Sequence, residues 1–330
     1  MAKSENQKLK LLYLQKILLE KTDDGHGITL DEVIKELEKY EISSERKSIY
    51  NDLNCLRQYG MDIEKRQADR TTYYFLRSRP FQLAELKLMV DSVQSSRFIT
   101  SKKSKELIQK LEGFASKYEM QQLQRQVYVS DRPKTINEGI YCNVDRIHMA
   151  INENRIIEFH YFQWNVNKEM KKKREGALYR VSPWALSWDS DNYYMIAYDG
   201  EENRIKHYRV DKMLDICLTG QRREGQKCFR EFNMASYCKK LFGMFGGEEQ
   251  TVTLRCHNDK AGIIIDRFGQ EVNLRKIDEE HFTVNIKIAV SSQFLAWVMA
   301  LGDQVTIIAP EEVVERMRTE IGRLAERYGV

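Results

Sequence analysis

At 330 residues, 42% hydrophobic and 31% charged, the chain is long enough for two or three domains with cores of their own, and its composition is that of a soluble protein. The formal net charge of +4 is too small to establish nucleic-acid binding, so basic charge has to be judged segment by segment. No run of about 18 apolar residues appears, and the opening Met1-Ala-Lys-Ser-Glu-Asn6 lacks the apolar core of an export signal, so a cytoplasmic location without a membrane partner is expected.

In chain order, Leu9, Leu12, Ile17 and Leu18 predict a first helix, and Thr29 caps a second that carries Val33, Ile34 and Leu37. The run from Ser43 to Gly60 predicts a third. Ser43 or Ser44 can act as its N-cap, Ile49, Leu53 and Leu56 form a dry stripe, and Gly60 supplies the left-handed residue that ends helices. Projected at about 100° per residue, Ser44, Lys47, Asn51, Asn54 and Gln58 fall opposite that stripe, flanked by Arg46, Tyr50 and Arg57. Beyond Gly60, strands over Met61–Lys65 and Thr71–Leu76 with a polar turn, Arg66 to Arg70, predict a two-stranded wing. Helix, helix, helix and hairpin in that order form a compact reader of double-stranded DNA. Ser44, Arg46, Lys47, Tyr50, Asn51, Arg57, Arg66 and Arg70 are then the candidate contacts to base edges and phosphates. The bland alternative is a helical bundle whose polar face is merely solvated.

After Pro80 the pattern is that of a helical connector. Leu83, Leu86, Met89, Val90 and Val93 have helical spacing, Ser101-Lys-Lys-Ser104 breaks it, and Leu107, Ile108, Leu111 and Phe114 restore it. Such a pair serves equally as a dimer seam or as packing within one subunit. From Ile156 the period becomes strand-like, in runs over 156–164, 177–186, 193–198, 205–210 and 213–218. The fold expected there is a strongly bent antiparallel sheet or a five-stranded barrel. The basic stretch Lys168 to Arg174 reads as a hairpin tip between the first two runs. Near the C-terminus, strands at 251–256, 282–289 and 304–308 alternate with helices at 260–268, 291–301 and from Pro310 onward. That predicts an α+β sandwich, with Gly243 to Gly247 as the linker before it.

The ordered runs Tyr179-Arg-Val-Ser-Pro-Trp-Ala-Leu186, Asp191 to Asp199 and Ile205-Lys-His-Tyr-Arg-Val-Asp-Lys-Met213 resemble the WYL domain of bacterial transcriptional regulators. The eponymous Trp-Tyr-Leu stands here as Tyr193-Tyr194-Met195. The resemblance implies an α+β chain with a winged helix-turn-helix over 1–80, a helical linker or dimerisation region over 81–135 and a small Sm-like β-barrel over 136–220. A linker over 221–249 and a C-terminal α/β extension over 250–330 complete it. It also implies a homodimer on a palindromic operator, with a nucleotide, single-stranded nucleic acid or other anionic effector sensed by the barrel. His207 and Arg209 alternate onto one face of a strand, and Arg209 offers a permanently charged fork for carboxylate or phosphate. With Tyr161, Arg180 and Tyr194 they form the candidate effector site, and the family's polar residues favour Tyr194, His207 and Arg209. The structural alternatives are an Arg209–Asp211 ion pair and a histidine that only packs.

No H-E-x-x-H, nucleophile elbow or Walker loop occurs, so no enzyme and no cofactor are expected. The six cysteines, Cys55, Cys142, Cys217, Cys228, Cys238 and Cys256, form no C-x-x-C pair, which predicts reduced, buried thiols and no metal site.

Overall fold

A computed structural model of the chain describes residues 5–123, 134–229 and 234–329. They form two compact units, Met1–Glu138 and Gly139–Val330.

The first unit begins with α1 (Lys10–Lys21), β1 (Ile28–Thr29), α2 (Leu30–Glu38), α3 (Arg46–Gln58) and the hairpin of β2 (Ile63–Ala68) and β3 (Thr71–Leu76). With β1 added to β3, the sheet runs β1-β3-β2 and the topology is that of a winged helix. Thr29 starts α2 by accepting a hydrogen bond from the Glu32 amide, while the Glu32 carboxylate accepts from the Thr29 amide at 2.8 Å. The stripe Ile49, Leu53 and Leu56 is buried against Leu14, Leu18 and Leu37. Leu9 and Leu12, expected on the inner face of α1, are exposed instead. Leucines at 9, 11, 12, 14, 18 and 19 surround the helix, and its sequence alone leaves the phase open. The wing turn is shorter than expected. Asp69 and Arg70 alone have positive φ, 47° and 64°, the two-residue geometry whose twist matches the strands. Arg66 therefore sits on β2.

The connector holds α4 (Leu83–Ser95), α5 (Ser101–Glu112) and α6 (Lys117–Leu123), one helix more than the sequence suggested. The break lies at 96–100 rather than 101–104, because the Thr100 hydroxyl accepts from the Lys103 amide and opens α5. A capping box also starts α6: the Ser116 hydroxyl accepts from the Glu119 amide and the Glu119 carboxylate from the Ser116 amide. Ser116 also donates to the buried Asp23 carboxylate at 2.6 Å. Arg79 donates to the carbonyls of Leu19, Thr22 and Phe114, so connector and winged helix share one joint. The end of the expected connector, 124–133, lies outside the described residues.

The second unit opens with α7 (Ile140–Asn152), which the sequence reading missed, and continues through β4 (Arg155–Trp164), β5 (Met170–Lys172), β6 (Tyr179–Asp189), β7 (Asn192–Asp199), β8 (Arg204–Arg209) and β9 (Met213–Arg222). The five expected strands are present. The basic stretch 168–174 contains a sixth, β5, rather than only a hairpin tip. One edge of β4 pairs β6 through Ile157–Phe159 and then β5 through Phe162–Trp164, while its other edge pairs β9. The sheet curls into a half-barrel. Among the described residues no ladder joins β8 to β9, and only the turn Val210–Lys212 links them. The inner face gathers Phe159, Tyr161, Tyr179 and Tyr208, with ring centroids 5.2 to 6.4 Å apart.

Two short helices follow, α8 (Gln226–Phe229) and α9 (Met234–Lys240). The glycine-rich segment 243–247 is not a free linker. Leu241 and Met244 are buried with Ile196 of β7 and Ala289, and a Cβ on Gly247 would come within 2.2 Å of the Val290 carbonyl. The remainder is β10 (Glu248–His257), α10 (Ala261–Phe268), β11 (Leu274–Lys276), β12 (His281–Val290), α11 (Ser292–Ala300), β13 (Val305–Ala309) and α12 (Glu311–Tyr328). The all-antiparallel order β11-β12-β10-β13 is the β-α-β-β-α-β ferredoxin-like arrangement. The cysteine expectation needs correction: Cys55, Cys142, Cys217 and Cys228 are exposed and only Cys256 is buried, where burial pushes its thiol up to about 11. The Cys238 side chain lies outside those described.

Candidate functional site

The dry stripe of α3 fixes which of its side chains meet solvent. Lys47, Tyr50, Asn51, Asn54 and Gln58 are exposed, and Tyr50 lies edge-on to the buried Tyr74 of β3, 6.5 Å between centroids. A buried ion pair holds the helix from behind. Lys10 Nζ is 2.6 Å from the Asp52 carboxylate and donates to the Ser48 hydroxyl at 2.7 Å.

Four of the candidate DNA residues are less free than the helical projection implied. Glu45, not Ser43 or Ser44, is the N-cap, without a side-chain cap, and the Ser44 hydroxyl is shielded from solvent with no hydrogen-bond partner among the described residues. The fully buried Ile42 draws this loop inward. Arg46 grips Asp31 bidentately, with Nη2 2.6 Å from both carboxylate oxygens. Arg57 donates to the Ile63 carbonyl and to Asn54, tying α3 to the wing. Arg66 lies over the Phe75 ring at 4.4 Å and donates to the Asp24 carbonyl and Glu64. Arg70 stands at the wing tip, exposed.

In the half-barrel the five candidate effector residues separate into three places. Tyr161, Tyr194 and Arg209 meet. Tyr194 is the register partner of Arg209, and the Tyr161 hydroxyl accepts a hydrogen bond from the Arg209 amide at 3.1 Å, which satisfies an edge N–H that β9 does not reach. Burial pushes the Tyr161 phenol up to about 12 and raises that of Tyr194. The Arg209 fork is already occupied. Its Nε and Nη2 donate to the two Asp211 oxygens at 3.0 and 2.9 Å, and Nη2 also donates to Asn192 at 2.8 Å. Burial opposes the charge on Arg209, but its bonds to Asp211 outweigh that and hold the guanidinium above its ordinary value.

His207 shares the strand face of Arg209 but lies under the segment before the C-terminal domain. Its Nε2 is 3.0 Å from the Tyr237 hydroxyl of α9. Burial lowers its pKa, against the opposing effect of the Met244 backbone. Arg180 is elsewhere, 3.7 Å from Glu158 and beside a cavity of about 250 Å³ with Ser182, Glu201 and Glu224. Sequence reasoning missed Asn192 and Tyr237. Asn192 follows the turn signal Asp189-Ser-Asp191 and could have been suspected as a side chain reaching back over the strand end. Nothing in the sequence marks Tyr237 as a partner of His207.

The family model of the WYL domain matches residues 143–218, and that of the WCX domain matches residues 248–325. The chain therefore matches the model of a WYL domain and, after it, that of a WCX domain. Among solved structures it is similar to proteasome accessory factor B/C (PafBC) of Arthrobacter aurescens, with 14% identity, a TM-score of 0.29, and coverage of 97% of this chain and 49% of that one. The chain spans about half the length of that protein. No curated protein matches it. No described helix is long and apolar enough to cross a membrane.

Proposed function

We propose that the chain is a sequence-specific transcription regulator: α3 reads the major groove, the wing tip with Arg70 contacts phosphate, and the WYL domain senses an acidic ligand or nucleic acid that changes operator binding. The observation that carries the reading is the division of α3, where Ile49, Leu53 and Leu56 are buried while Lys47, Asn51, Asn54 and Gln58 stay exposed. Asparagine and glutamine can address adenine bidentately, and lysine can address guanine or phosphate. A homodimer on a palindromic site follows from the small footprint of one winged helix. Selection of bound genomic fragments by the purified protein, followed by titration of the enriched fragment with Lys47→Ala and Asn51→Ala variants, tests it. Failure to enrich any sequence, or unchanged binding by both variants, would remove α3 from the DNA.

A second reading is favoured by the Asp211 and Asn192 contacts that fill the Arg209 fork: a DNA-binding architectural or interaction protein whose WYL domain serves assembly without a small effector. An effector must compete with a carboxylate already in place. Screening oligonucleotides and anionic metabolites for release of the bound DNA separates the two.

A further inference from the structure

The first unit holds a cavity of about 560 Å³ lined on one side by His26, in the loop between α1 and β1, and on the other by α4 and α6. Its volume is that of a small-molecule site, about 300 to 1,000 Å³. The DNA-reading helix takes no part in it, and neither does the WYL domain.

His26 is held by two neighbours. Its ring stacks on Tyr118 of α6 at 3.8 Å and 11°, and Nδ1 lies 2.8 Å from the Asp23 carboxylate, which also accepts from the His26 amide. A carboxylate only accepts, so the proton between them sits on Nδ1. The Asp23 carboxylate is buried and anchored in turn by Ser116. The imidazole is thus a fixed aromatic shelf rather than a loose surface ring.

Across the cavity, α4 presents Lys87, Val90 and Asp91. Lys87 and Asp91 stand four residues apart on one helix face, the usual spacing of an ion pair. Yet among the described residues Asp91 has no hydrogen-bond or ion-pair partner, and Lys87 only approaches Gln122 of α6, at 3.5 Å. A half-buried carboxylate without a partner, an amine reaching only an amide, and the neutral amide of Gln121 complete a wall with donors and acceptors to spare.

We propose that this cavity binds a planar heteroaromatic ligand with an N–H-rich edge and an anionic tail, a guanine nucleotide in chemical class. The ring would stack on the free face of His26, Asp91 would accept from its N–H edge, and Lys87 would meet the tail. The walls come from the winged helix on one side and the connector on the other, so a bound ligand would brace the joint that Arg79 and Ser116 already make.

Calorimetric titration of the whole chain, without DNA, with guanosine 5′-monophosphate, adenosine 5′-monophosphate, guanosine and inorganic phosphate tests this independently of any operator. Saturable binding of the guanine nucleotide is expected, weaker for guanosine and for the adenine nucleotide. His26→Ala should bind about tenfold more weakly, the loss of one base–aromatic stack. Asp91→Asn, at a residue that holds no structural contact, should lose the preference for guanine while melting like the parent. No binding at millimolar nucleotide, phosphate binding as tightly as the nucleotide, or affinity unchanged in both variants would overturn the proposal.

Discussion

Helix α3 and strand β8 present the same kind of pattern, polar side chains on one face and apolar ones on the other, and they differ in what the polar groups touch. On α3 the apolar stripe is spent on the core, and on the polar face Lys47, Asn51 and Gln58 are exposed with no side-chain hydrogen bond or ion pair among the described residues. On β8 the polar face is already engaged, Arg209 by Asp211 and Asn192 and His207 by Tyr237. Periodicity reports which face is inside. It does not report whether a polar residue on the outer face is free, and freedom is what a binding site requires.

The largest effect should come from the dry side of α3. Leu53 is 1% exposed, and Leu53→Ala should cost about 3 kcal/mol through lost burial and the cavity left behind. Lys47→Ala, on the wet side, should stay within about 0.5 kcal/mol. Thermal melting followed by circular dichroism checks both, and a similar loss for the two variants would mean that α3 is not divided into two faces.

Next comes the filled fork of β8. Asp211 is buried, so Arg209→Ala strands a carboxylate; the arginine is 39% exposed and Lys212 stands 3.8 Å from the same carboxylate. Both soften the loss to roughly 2 kcal/mol, below the ~3–5 kcal/mol of a fully enclosed pair. Urea denaturation of Arg209→Ala and of the double variant Arg209→Ala/Asp211→Ala distinguishes support from sensing. The double variant should recover much of the loss if the pair is structural. A stable single variant that no longer answers an anionic effector would assign Arg209 to sensing.

These two regions also show how far the sequence could be read. The strands of the half-barrel, the stripe of α3 and the C-terminal alternation were legible because burial on one face imposes a period on the chain. Helix α7 was legible but passed over: Ile140, Val144, Ile147 and Ile151 recur at helical spacing, and only the missing side-chain cap at Gly139 weakens the signal. The two strands β5 and β11 span only three residues each, too few to show a period. The candidate site was less legible than the fold. The separation of Arg180 from Arg209, and the burial of His207 under α9, depend on how the sheet curls and on a segment distant in sequence.

On the wet face of α3, Asn51→Ala should remove about 1.5 kcal/mol of discrimination at one base position. Arg70→Ala at the wing tip should weaken all sequences alike and reduce the salt slope by about 1. Anisotropy titrations against matched and mismatched operators at several salt concentrations separate the two. Loss of discrimination in Arg70→Ala would move base reading to the wing.

The smallest effect is expected at His207, and it tests whether the engaged face of β8 is closed in solution. Burial holds the folded imidazole below its ordinary value of about 6.5. Above that value the ring is neutral in both the folded and the unfolded chain and has no effect on the balance. As pH falls through about 6.5 the unfolded chain takes up the proton first, so stability contributed at neutral pH is lost on acidification, down to the lower pKa of the folded state. Carboxylates such as Asp199, held below their usual range by Lys206 against the effect of burial, lose their contribution only at more acidic pH. His207→Gln keeps a hydrogen-bonding side chain and cannot titrate. All four tryptophans, Trp164, Trp184, Trp188 and Trp297, lie in the second unit, so tryptophan fluorescence during urea unfolding reports on this unit alone. Between pH 7.5 and pH 5.5 the parent should lose more stability than His207→Gln; equal slopes would mean that the imidazole is open to solvent and that α9 does not cover it.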